Sequence, residues 1–215
     1  MIIDINTNER KVLPMPMYSL HPSGRYAITL NFARLHHTRK GYGYAGIEDS
    51  YYDEAAPEKD GIFLLDMKSG EYKLIISLSQ LYGHDHLGVM EDGKHQVCHL
   101  TFNEDGSRFC FVHRFNLADG GMYTRLFTAN IDGSELCCLL DSGYFSHFGW
   151  RHTHEILGYG RLPNRVNSIR KNRWLTRNIL KHILPMYHSV ISANSTLRRK
   201  ILEDTYLLFE DQSPI

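Results

Sequence analysis

Six residues of this chain have the types and the spacing for one kind of chemistry. Arg34, Arg114 and Arg161 each follow an apolar run and precede Leu or Phe, while His99, His113 and His147 open or close neighbouring runs. An arginine fork grips a carboxylate through two parallel hydrogen bonds, and a neutral imidazole ligates a divalent metal or accepts a proton. Three of each, gathered on one surface, suit an anionic, oxygen-rich ligand. Each residue also has a structural use: a histidine at the start of a strand caps a neighbouring carbonyl, and an arginine at its end pairs with an acid. The pairs His36–His37, His84–His86 and His152–His154 fall in expected loops or turns and read as surface residues.

The elements that must position these six are legible as repeats. A hairpin pattern occurs as IIDINTNERKVL from Ile2, LLDMKSGEYKLI from Leu64 and TANIDGSELCCL from Thr128, which aligns Asp4 with Asp66 and Asn130 and Glu9 with Glu71 and Glu135. A second pattern precedes the later copies: SLHPSGRYAITLNFARL from Ser19, HLTFNEDGSRFCFVHRF from His99 and HFGWRHTHEILGYGRL from His147. The turns PSG and EDG within the first two of these suit hairpins. A hairpin that cannot bury its apolar face alone calls for stacked units, and four-stranded antiparallel units in series are the pattern of propeller blades. The expected fold is therefore all-β, a partial β-propeller of four-stranded antiparallel blades with a basic amphipathic helical insertion near the C-terminus. The expected order is a half blade at 1–13, blades at 18–78 and 97–141, the start of a further blade at 144–161, the basic insertion at 162–202 and a return to a strand at 203–215. Met1 falls in mid-blade on this scheme, which marks the chain as a piece of a longer one or as a self-associating arc.

In an antiparallel hairpin the first strand begins at the sheet edge where the second one ends. With the first strand of each blade innermost, that rule gathers Arg34, His99, His113, Arg114, His147 and Arg161 at one mouth of a central channel. Residues 34–60, rich in glycine, tyrosine and acid, interrupt one blade and read either as a rim of a binding site or as a decorative loop. Between residues 162 and 202 there are nine Lys or Arg and no acid, although the whole chain is neutral with 24 of each sign. Within this segment Leu175, Ile179, Leu180, Ile183 and Leu184 follow helical spacing, with Arg170, Arg173, Arg177 and Lys181 on the polar face and Pro185 as the stop. Such a helix either makes peripheral membrane contact through 170–184, grips a polyanion, or packs on the sheets.

With 215 residues, 42% apolar and 22% charged, the composition is that of an ordinary globular protein with a sizeable core. No run of 18 apolar residues and no signal-peptide pattern is present, so the default reading is cytoplasmic, conditional on Met1 being the true start. Cys98, Cys110, Cys137 and Cys138 fall inside expected strands and read as buried free thiols. No nucleic-acid partner is indicated.

Residues 98–150 resemble blades of oligogalacturonate lyases and, more loosely, the WD40-like repeats of TolB-type propellers. The likeness is carried by a His opening the blade (His99), a His ending the next strand (His113), a Met-aromatic-Leu strand leading to the DGS turn at 132–134, and a His shortly before Trp150. It implies a seven-bladed propeller, a divalent metal, typically manganese, and β-elimination on an acidic oligosaccharide or polysaccharide. On that likeness His99 stands nearest the catalytic position, with Arg114 stabilising the substrate carboxylate. His113 and His147 match metal-ligand positions, and Arg34 and Arg161 would bind substrate. The chain departs from those lyases after His113, where Arg114 and Phe115 replace an acid and glycine, and after His147, where Phe148 and Gly149 follow. The alternative function is a non-catalytic scaffold for a protein partner, with the basic helix contacting a membrane or polyanion.

Overall fold

Strand order follows chain order throughout. The computed structural model describes residues 1–183 and 204–212. Strands β1 (Ile2–Ile3) and β2 (Arg10–Lys11) form a two-stranded hairpin. The first large sheet runs β3 (Ser19–Leu20), β4 (Tyr26–Leu30), β5 (Gly61–Asp66), β6 (Tyr72–Ser77), and the second runs β7 (His95–Phe102), β8 (Arg108–Asn116), β9 (Met122–Asn130), β10 (Cys137–Leu140). The third holds β11 (Phe145–His152), β12 (Glu155–Arg161) and β13 (Asp204–Glu210). Helices α1 (Phe32–Thr38) and α2 (Leu78–Gly83) follow β4 and β6, and α3 (Arg165–Arg170) and α4 (Arg173–Leu175) follow β12. The structure is mostly β, with 40% strand and 17% helix, and among the described residues the strands form four small antiparallel sheets and no closed barrel.

The turns show why these hairpins close. Asp4 Oδ1 accepts from the N–H groups of Asn6 and Thr7, and Asp66 Oδ1 from those of Lys68 and Ser69. Asn8 and Gly70 then take the left-handed backbone, at φ 57° and 84°, which asparagine and glycine tolerate best. The third copy differs from its sequence alignment. There Asp132 accepts from the N–H and hydroxyl of Ser134, as Asp105 does from Ser107. Asp-Gly-Ser chemistry, rather than the Asp4 and Asp66 pattern, closes that turn.

Burial singles out the second sheet. All of β8 except Asn116 is buried, and so are the seven interior residues of β9, because the sheet is covered on both faces. One apolar cluster joins Ile28, Leu30 and Ile62 of the first sheet, Phe109, Phe111 and Phe127 of the second, and Phe145 and Phe209 of the third. Burying one such side chain is worth about 2 kcal/mol, so this continuity ties the three sheets together.

The interrupting segment is not wholly loop. Asn31 caps α1, its side chain accepting from the N–H groups of Ala33 and Arg34, so Arg34 lies on a helix and not at a strand end. At Gly43 the returning chain meets α1 so closely that a Cβ would stand 2.1 Å from the Phe32 carbonyl. Tyr44 N–H then donates to that carbonyl at 3.1 Å.

The basic segment is helical over residues 173–183, with a π turn at Thr176–Leu180. Leu184, Pro185, Arg198, Arg199 and Lys200 lie outside the described residues, as does residue 203. Among the described residues, no helix is long and apolar enough to cross a membrane.

Candidate functional site

Neighbouring residues on a strand point to opposite faces, and that alternation divides the six residues singled out above. Arg114 points towards the third sheet, where its guanidinium donates to Phe145 O at 3.3 Å, to Thr124 Oγ1 at 3.3 Å and to Cys98 Sγ at 3.4 Å. His99 shares that side. Its Nδ1 lies 3.1 Å from the same Cys98 sulfur, its N–H donates to the Tyr18 hydroxyl at 2.9 Å, and its ring centroid is 6.1 Å from Phe148 and 6.3 Å from Tyr42.

His99 and His147 have the same local origin. Each sits where the strand register slips, between Cys98 and Thr101 in β7 and between Ser146 and Phe148 in β11. Each takes a left-handed backbone, at φ 56° and 51°, as bulge residues do. For a non-glycine residue this conformation costs on the order of 1 kcal/mol and clusters at functional sites. Burial, followed by the positive charges of Arg114 and Arg39 and by His147, lowers the His99 pKa to about 4. His99 is thus a neutral imidazole at neutral pH.

Arg39, beyond the end of α1, was not singled out by the repeats. Its guanidinium lies 3.7 Å from the Tyr42 ring centroid, and its Nη1 is buried without a hydrogen-bond partner. Among the described residues neither Arg39 nor Arg114 makes an ion pair with a carboxylate. Two guanidiniums and two imidazoles, walled by Tyr18, Tyr42 and Phe148, therefore form a cationic patch without a carboxylate partner among the described residues, in which Arg114 is buried and donates through all three nitrogens and Arg39 keeps an unpartnered Nη1. Such a surface attracts an anion with a flat or apolar portion.

The other three residues are engaged elsewhere. His113, fully buried, faces away from Arg114, and its Nε2 lies 2.8 Å from His95 Nδ1, while His95 Nε2 lies 2.9 Å from Met90 O. A carbonyl only accepts, so His95 carries its proton on Nε2 and His113 donates from Nε2. Burial lowers the His95 pKa to about 4 and that of His113 well below its ordinary value. Arg34 donates to His95 O, Tyr51 O, Glu54 O and Ala55 O and lies 3.5 Å from Asp49. Arg161 makes a two-pronged pair with Asp204 at 2.7 and 3.1 Å.

His113 and His147, the two positions matched to metal ligands, do not share a site. One nitrogen of His113 is taken by His95, and among the described residues no group of three or more His, Cys, Asp or Glu is disposed to hold a metal ion.

Three of the basic residues of this segment, Arg170, Lys171 and Arg173, turn towards acids in the connections between strands. Arg170 pairs with Asp119, whose side chain is fully buried, Lys171 with Asp141, and Arg173 with Glu91 and Asp92. Ile169, Trp174 and Ile183 are left exposed. Asp119→Ala is expected to loosen this strap and to speed tryptic cleavage after Arg170 and Lys171 about tenfold, as loss of a partly buried pair worth about 1.4 kcal/mol would. An unchanged digestion pattern by mass spectrometry would show that these pairs do not hold it.

Compared with known family models and with curated proteins, the chain matches none.

Proposed function

We propose that the chain is an arc of a β-propeller that binds an acidic saccharide on the surface formed by Arg39, His99, Arg114 and His147. The arc is supported by the sequential strand order of each large sheet and by contacts of β7 with both β3 and β11, the first strands of the neighbouring sheets. The observation that carries the ligand is the pairing of two guanidiniums, neither with a carboxylate partner, with aromatic walls. A uronic acid offers a carboxylate to the arginines and a C–H face to Tyr42 or Phe148. For β-elimination, His99 is the imidazole here that can take the proton α to the carboxylate, being unprotonated at neutral pH. No step is assigned to a metal.

Calorimetric titration with trigalacturonate tests the reading. Binding is expected to weaken about tenfold in Arg39→Gln, the worth of one charge-assisted contact, and the matching neutral galactose trimer should give no competing signal at this surface. Trigalacturonate that fails to bind, or binds equally well without Arg39, would sink it. A second reading, a scaffold for a protein partner, is favoured by the exposed Ile169, Trp174 and Ile183. It predicts binding to partners that Trp174→Ser abolishes and Arg39→Gln leaves alone.

A further inference from the structure

Away from the cationic surface, the segment 34–60 and residues 14–16 border an open cleft of 490 Å³ against the first sheet. That volume lies within the range of small-molecule sites. Two aromatic pairs line it. Phe32 and Tyr44 are stacked at 4.6 Å, and Phe63 and Tyr72 meet edge to face at 6.0 Å. Tyr44 and Tyr72 are each about half exposed at the mouth of this cleft.

The polar lining is mixed in sign and in hydrogen-bonding sense. Lys59 only donates, Glu48 only accepts when ionised, and Ser50 does both, while Asp60 is buried behind them and already accepts from Asn31 and Gly61. A fully cationic ligand would meet Lys59, and a fully anionic one would meet Glu48. Hydroxyl groups donate and accept, and the C–H faces of a sugar ring stack on aromatic rings. Aromatic pairs with a mixed polar set are therefore suited to an uncharged, polyhydroxylated ring.

We infer that this cleft is a second ligand site, for a neutral saccharide of one or two rings. It rests on residues separate from Arg39, His99, Arg114 and His147, so it stands or falls independently of the acidic ligand. The test is calorimetric titration of the full chain with a panel of neutral disaccharides of glucose, galactose, mannose and xylose. At least one is expected to bind in the millimolar range, about fivefold more weakly in Tyr44→Ala and in Tyr72→Ala, the share of one lost aromatic contact. Arg39→Gln should leave it unchanged. Both tyrosines are at the surface, and unaltered circular dichroism would exclude misfolding as the cause. Silence across the panel at tens of millimolar would overturn the assignment, as would binding indifferent to both tyrosines. Tyrosine-dependent binding of phenethylamine in place of the sugars would overturn the ligand class.

Discussion

Arg34→Ala is expected to lower the unfolding free energy by about 4 kcal/mol. Only 2% of Arg34 is exposed, and its guanidinium supplies donors to four backbone carbonyls as well as the charge beside Asp49. Truncation would strand an equally buried carboxylate without its counter-charge, the situation that costs 3–5 kcal/mol. It would also leave the carbonyls of His95, Tyr51, Glu54 and Ala55 without this donor, each a further desolvation cost. Arg34→Lys keeps the charge but not the planar fork and should recover less than half. Urea denaturation measures this as a shift in midpoint at constant slope. A loss below about 1 kcal/mol would refute the structural role and return Arg34 to the list of substrate contacts.

The second large effect is acid lability set by the paired histidines. His95 titrates near pH 4 in the folded chain because burial penalises its cation, and His113 is pushed down in the same direction. An unfolded histidine titrates near 6.5. Between those values the unfolded state binds the extra protons, so stability falls as pH falls from 6.5 towards 4 and is fully present above 6.5. His95 alone accounts for about 3 kcal/mol across that window, at roughly 1.4 kcal/mol per pH unit. The measurement is the urea midpoint against pH. His95→Gln should remove about one proton's share of the slope between pH 6.5 and 4, leaving the contributions of His113 and His99, while lowering stability at pH 8 by disturbing the contact with Met90 O. A wild-type profile flat between pH 7 and pH 4.5 would show that these imidazoles are not buried neutral.

Much of the β architecture was legible because hairpin turns announce themselves locally. Asp4 with Asn8, and Asp66 with Gly70, state both the turn and its left-handed residue in a few letters. The start of α1 was hidden by its setting: FARL continues the apolar run of β4, and only the capping Asn31 marks where the strand ends. The candidate site was half legible. His99 and His147 stand at matched positions in the repeat, yet the bulges that aim them came from register slips that no spacing rule announces. His113 and Arg114 could have been separated from the sequence alone, since adjacent strand residues cannot share a face. Arg39 escaped because it lies outside the repeat, although RKGYGY combines charge, glycine and tyrosine in the manner of a binding rim. The pairing of Arg170, Lys171 and Arg173 with distant acids was invisible for a different reason. Helical spacing defines faces, whereas the acids that choose between them, Glu91, Asp92, Asp119 and Asp141, lie 30 to 82 residues away in the chain.

The guanidinium of Arg34 also changes what kind of segment 34–60 can be. Its contacts reach forward to Tyr51, Glu54 and Ala55 and across to His95, and His95 N–H in turn donates to Ala55 O. The segment is thereby fastened at its middle to the first strand of the second sheet, whose His95 ring leads on to His113. Freedom to drift in sequence, the usual privilege of a surface excursion, is withdrawn here. Lengthening or shortening residues 34–60 would be answered in the packing of the core, so a lineage could reshape the cleft they border only by exchanging side chains along a path of fixed length.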